Sequence, residues 1–264
     1  MAEAILWHIA VSHYNEKARW ALDYKRVPHE RRAPPPGLHM AIAMWLTRGQ
    51  CKTSPVLELD GKGIGDSTKI IEALERRYPE PPLYPEDPEE RSRALELEDF
   101  IDEELAPHVR LLVFHEAIKD RDAFDRFAAM MLPHRLRERG ARLAGSYASA
   151  FLRARYGVAD PQAADLAKRK IEAALDRIEA ELDAGEYLVG DGFSVADLTG
   201  ASILYPVFRP PEGPHIPFDY PEPLRRYFDS LADRPAIEWA REMFRRHRGT
   251  SAATRSSGLA AATA

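Results

Sequence analysis

The chain has 264 residues, of which 45% are hydrophobic and 30% charged, enough for a sizeable core in one large domain or two modest ones. Its formal net charge of −5 argues against general attraction to nucleic acid or to an anionic membrane. The single cysteine, Cys51, excludes an internal disulfide and a paired-cysteine redox motif. The opening MAEAILWHI lacks the basic start of a signal peptide, and no apolar run approaches membrane length, so a soluble protein of a reducing cytoplasm is expected.

Ile5 to Ile9 is a short apolar run, followed by the polar loop Ser12-His13-Tyr14-Asn15 and a helical pattern over Glu16–Lys25. Val27–Arg31 reads as a second strand weakened at its start by Pro28, and Leu38–Leu46 as a short helix. The most informative stretch is 53–79. Pro55 opens the period-two run Val56-Leu57-Glu58-Leu59, Asp60-Gly61 is a tight-turn dipeptide, and Lys62-Gly63-Ile64 returns antiparallel. Asp66 and Ser67 then stand before a helix over Thr68–Tyr78, with Ile70, Ile71 and Leu74 on one face. Such a helix start offers spare N–H groups and partial positive charge, so the pair either caps the helix or holds a ligand carboxylate.

The Pro-rich segment 80–88 sustains neither helix nor central strand and reads as a linker. Beyond it the periodicity is almost wholly helical: Glu89–Ala117, Ala123 to about Arg155 with a break near Pro133, Pro161–Ala184, Ser194–Tyr205, Leu224–Ala232 and Pro235–His247. Ser194, three residues before Asp197, forms a capping-box spacing with a structural role. The Ala-, Ser- and Thr-rich end, 249–264, is expected to be disordered. Leu105, His108, Leu111, Leu112 and His115 fall near one helical stripe, which reads either as core or as one wall of a pocket. Glu104 and His108 have a spacing that two metal ligands can use, but no third ligand accompanies them, and no metal is expected.

A small sheet domain (1–79), a Pro-rich linker (80–88) and an all-helical domain (89–248), in that order, resemble a soluble glutathione transferase. The resemblance is carried by Ser12 to Arg19, by Pro55-Val56, by Asp66-Ser67 and by the run Tyr187–Leu198. It implies an α+β thioredoxin-like β-α-β-(α)-β-β-α domain followed by a helical bundle. It implies a cis Pro55 whose neighbouring backbone pairs with glutathione, and an Asp66-Ser67 grip on the γ-glutamyl group. Lys52, Thr53, Ser54 and Val56 join these as candidate glutathione contacts. Ser12 is the expected donor to the glutathione sulfur, with Tyr14 and Asn15 as rivals; a hydroxyl donor and a helix N-terminus both favour a thiolate. His13 stands where many relatives carry Pro. The second, electrophilic substrate is expected between the domains, against His13, Leu105, His108, Leu112, Tyr205 and Phe208. The resemblance also implies glutathione as co-substrate and a homodimer. A non-catalytic binding module of the same fold is the alternative, favoured by His13.

Overall fold

The computed structural model describes residues 4–35, 37–130, 132, 137–182, 185–216 and 218–257. A five-stranded sheet is built from β1 (Ala4–Trp7), β2 (His29–Arg32), β3 (Val56–Leu59), β4 (Lys62–Gly65) and β5 (Ala253–Ser257), in the order β4-β3-β1-β2-β5. β1 runs parallel to β2 and antiparallel to β3, with Leu6 opposite Leu57, and β3 and β4 form the expected hairpin. Asp60 and Gly61 both take positive φ at its turn, 51° and 75°, as a two-residue loop matching strand twist requires. Helices α1 (His13–Tyr24), α2 (Leu38–Leu46) and α3 (Ser67–Arg77) complete the first unit. Gly63 on β4 is dictated by packing, because a Cβ there would lie 2.4 Å from the carbonyl oxygen of Leu46 at the end of α2.

The second unit begins at α4 (Pro88–Phe100), whose N-cap Asp87 accepts from Glu89 and Glu90. A π-helical segment, Ile101–Leu105, joins α4 to α5 (Ala106–Ala117). There follow α6 (Arg121–Met130), α7 (Arg137–Tyr156), α8 (Pro161–Leu182), α9 (Val195–Phe208), α10 (Glu222–Ser230) and α11 (Pro235–His247). The expected break near Pro133, and the final residues expected for the helix from Pro161, lie outside the described residues.

One hydrophobic core runs through both units. Trp20 of α1 is fully buried, lies 4.5 Å from the Phe244 ring, and donates its indole N–H to the His247 carbonyl at 3.0 Å. The α9 helix is buried along its whole length and packs on α1. Its start is held by Asp197, which accepts from the Leu188 and Ser194 amides at 2.9 Å each and from the Ser194 hydroxyl at 2.8 Å. Burial pushes the Asp197 carboxyl up to about 6 against the pull of those donors. The structural reading of this pair therefore holds.

The terminal segment departs from the sequence expectation. Of the tail expected to be disordered from 249, residues 253–257 instead run along the edge of β2 as the parallel strand β5, and 258–264 lie outside the described residues. Buried Arg248 reaches Glu16 at 2.6 Å and Asp23 at 2.8 Å, and the Ala252 amide donates to Asp23 at 2.8 Å. These anchors deliver an otherwise weak strand former to an edge that would stand unpaired.

Candidate functional site

A cavity of about 1160 Å³ opens between the sheet unit and α4–α7. On the sheet side it is lined by Ser12, His13 and Tyr14 from the start of α1, by Thr53, Ser54 and Pro55 ahead of β3, and by Asp66 and Ser67 at the start of α3. The Ser54–Pro55 peptide is cis. Three separated stretches that the sequence singled out thus face one cleft.

Ser12 is the N-cap of α1, with extended φ and ψ, and its carbonyl accepts the Asn15 and Glu16 amides. Its hydroxyl makes no cap bond and is left to the cleft, at the positive end of the helix. Asp66 caps α3 through one carboxylate oxygen, which accepts from Thr68 at 3.0 Å and Lys69 at 3.4 Å. Capping does not consume the carboxylate's other oxygen. Ser67, only 4% exposed, is the first residue of that helix and also lines the cleft.

Tyr14 reaches the cleft but donates its hydroxyl to the Asp102 carbonyl at 2.8 Å. Burial holds its phenol above the ordinary value, with Arg110 pulling the other way. Its proton is engaged, which favours Ser12 as the free donor. Burial and the nearby Arg110 charge push the His13 imidazole down to about 3, so it is neutral at physiological pH. Cys51 also lines the cleft, and its thiol lies 3.2 Å from the Thr53 carbonyl.

Eight other expected residues stand elsewhere. Asn15 is fully buried outside the cleft lining; its side-chain oxygen accepts the Ile9 amide at 3.0 Å, and its Nδ2 is buried without an acceptor among the described residues. Tyr205 donates to the Val11 carbonyl at 2.7 Å and so clamps the same loop from α9. Val56 is buried within β3, and Lys52 is exposed outside the cleft lining. Leu105 and Leu112 belong to the core, and Phe208 packs against Phe244. His108 sits beside Glu104 and Lys170, which pair at 2.5 Å away from the cleft.

The missed stripe has a physical cause. Leu105 and Leu112 turn into the core as the bundle packs, which sets the α5 face that meets the cleft. Past Ile101–Leu105 the residues presented to the cleft are Val109, Arg110, Val113 and Phe114, one step along from the expected set. Hydrophobic periodicity has no signal for that step. Described residues of the 118–160 region, left without a purpose by the sequence, form the outer wall of the cleft. Phe124 and Phe127 of α6, and Phe151 and Tyr156 of α7, close over it. Their spacing along two helices was the signal available.

The two units meet beneath the cleft through a buried charge cluster. Lys17 of α1, fully buried, lies 2.7 Å from Glu98, 2.5 Å from Asp102 and 3.0 Å from the Thr68 hydroxyl. Thr68 in turn donates to Asp102 at 3.1 Å. Burial raises the Glu98 carboxyl, while the Lys17 ammonium pulls it back.

Comparison with known proteins agrees with this geometry. Residues 6–82 match the glutathione S-transferase N-terminal domain model, and residues 130–235 match the glutathione S-transferase C-terminal domain model. The chain belongs to the glutathione S-transferase family. A maleylacetoacetate isomerase of Dictyostelium discoideum is 32% identical over 108 residues, which is 37% of this chain and 46% of that protein. The chain thus matches just under half the length of that curated relative. Among solved structures, the beta-etherase LigF of Sphingobium sp. strain SYK-6 superposes with a TM-score of 0.59 at 23% identity, over 90% of this chain and 98% of that one. A bacterial maleyl pyruvate isomerase, described as a zeta-class glutathione S-transferase, gives 0.58 at 24% identity, over 92% and 95%. At such identities these structures establish a shared fold: a mixed-sheet, thioredoxin-like domain followed by a helical one.

Proposed function

We propose that the chain is a glutathione-dependent transferase that activates the tripeptide's thiol for attack on a small, largely apolar electrophile. The observation that carries the reading is the shared cleft: the Ser12 hydroxyl, without a hydrogen bond among the described residues, stands at a helix N-terminus and lines the same space as Pro55 and the Asp66-Ser67 pair. Glutathione supplies a nucleophilic thiolate when bound. In this proposal the chain's own groups do the rest. Asp66, Ser67 and the first amides of α3 hold the γ-glutamyl end, and the backbone around Ser54 and Pro55 aligns the middle of the tripeptide. The Ser12 hydroxyl donates to the sulfur together with the partial charge of α1, which lowers a thiol pKa from its ordinary ~8.5. Aromatic walls on α5–α7 exclude water and bring the electrophile close, adding proximity to the raised thiolate fraction.

Membership of the glutathione S-transferase family and the likeness to a maleylacetoacetate isomerase support glutathione-dependent chemistry, without choosing between conjugation, isomerisation and ether cleavage. A homodimer and a cytoplasmic location complete the proposal, on the habit of the family. The test is turnover of a neutral aryl halide with glutathione, in the native chain and in Ser12→Ala. Loss of about 10²-fold or more in kcat with glutathione binding kept supports the reading. Tight glutathione binding with no turnover of any electrophile would instead favour a binding module.

A further inference from the structure

The cleft is larger than one small ligand requires, about 1160 Å³ against the ~300–1,000 Å³ of ordinary small-molecule sites. Its two halves differ in chemistry. The sheet half carries Ser12, Thr53, Ser54, Asp66 and Ser67. The helical half carries the carboxylates Asp99, Asp102 and Glu103 at its α4 end and is otherwise walled by rings, among them Phe114, Phe127, Phe151, Tyr156 and Phe218. Into that apolar wall α5 places the guanidinium of Arg110.

Arg110 is held by rings and not by a carboxylate. Its guanidinium carbon lies 4.3 Å from the centre of the Tyr156 ring and 5.7 Å from that of Tyr14. The two rings hold it by their faces, an arrangement that leaves the in-plane N–H groups for another partner. Among the described residues it makes no ion pair, and its Nε is sealed from solvent with no hydrogen-bond acceptor. A buried donor without a partner is costly to keep, and a planar fork of donors fits a carboxylate. The neighbouring His13 is neutral and supplies no counter-charge. Arg137, also on the cleft lining, already spends its Nε on the Leu132 carbonyl.

We propose that Arg110 anchors a carboxylate on an aromatic second substrate, whose ring system lies against Phe114, Phe127 and Phe151. The inference rests on the reading of the cleft as a transferase site and narrows its electrophile to aromatic acids. The carboxylate is assigned to the second substrate and not to glutathione because the guanidinium lies closest to Tyr156, among the rings of α5–α7.

The test is calorimetric binding of 2-naphthoate and of its neutral methyl ester to the native chain, to Arg110→Met and to Arg110→Lys, with glutathione titrated separately. The native chain is expected to prefer the acid over the ester by about 10-fold or more, as a charge-assisted pair provides. Arg110→Met should weaken the acid by roughly 10- to 100-fold and leave the ester and glutathione within about threefold, while Arg110→Lys keeps part of the preference. Equal affinity of the native chain for acid and ester overturns the proposal, without any variant needing to fold. So does a loss in Arg110→Met that falls on glutathione instead of on the acid. Failure of the transferase reading shows separately: the acid preference would persist while a neutral aryl halide is not turned over with glutathione.

Discussion

Replacing Lys17 by Met asks how far the buried cluster under the cleft holds the two units together. The ammonium has no solvent exposure and lies within 3.0 Å of three oxygens, on Glu98, Asp102 and Thr68. Met fills the stem's space but leaves Glu98, also without exposure, facing Asp102 with no cation between them. Removing one member of a buried pair costs ~3–5 kcal/mol, chiefly through the charge left behind. Asp102 retains 15% exposure, so water relieves part of its share and the loss should sit toward the lower end of that range. In a chain of this size each kcal/mol shifts the thermal midpoint by about 2–4 °C, which places the expected fall near ~10 °C. The assay is urea and thermal unfolding of the native chain, Lys17→Met, Glu98→Gln and the double variant. The double variant should recover most of the loss, because it removes the orphaned charge along with its partner. A single-variant cost below ~1 kcal/mol, or strictly additive losses in the double variant, would refute this account of the interface.

Acid stability should report the buried histidines. His13 titrates at about 3 when folded and His29 at about 4, against 6.5 in the open chain. A group that binds its proton more weakly when folded gives full stability above pH 6.5 and loses it as pH falls toward the folded value. Between pH 6.5 and 5, His13 alone should cost up to ~2 kcal/mol, and urea unfolding of His13→Gln should show a shallower acid slope than the native chain. An unchanged slope would mean that His13 is not held neutral. Asp197→Ala removes the acceptor of three hydrogen bonds at the start of α9 and should lower stability by roughly 3 kcal/mol; glutathione affinity per folded molecule should stay the same, since Asp197 is remote from the cleft lining. Ending the chain after Arg248 removes β5 and bares the β2 edge, so light scattering should show concentration-dependent association beyond the oligomeric state of the full chain.

Local chemistry made much of this molecule legible. The Asp60-Gly61 turn, the Pro55 entry and the Asp66-Ser67 helix start are short-range signals, and each survives into the cleft or the hairpin beside it. The Ser194–Asp197 cap was equally readable because its partners are three residues apart. What escaped depends on distant parts of the chain or on helix phase. β5 has weak intrinsic preference for a strand and forms because Glu16 and Asp23 fix Arg248 and Ala252 from more than two hundred residues away. Which face of α5 meets the cleft depends on how the bundle packs: Leu105 and Leu112 turn into the core, and Arg110 lines the cleft. Asn15 and Tyr205 carried the right chemistry for a ligand, yet the Asn15 side-chain oxygen and the Tyr205 hydroxyl are taken by the backbone of the Ile9–Val11 loop, and neither residue lines the cleft.

The most direct test of thiol activation is a spectroscopic titration of glutathione bound to the native chain and to Ser12→Ala, following thiolate absorbance in the near ultraviolet. The account predicts that the bound thiol ionises at least ~1 pH unit below the ~8.5 of a free thiol, and that Ser12→Ala returns most of that shift without releasing the tripeptide. A bound thiol that ionises like the free one in the native chain, or equally early without the Ser12 hydroxyl, would contradict it.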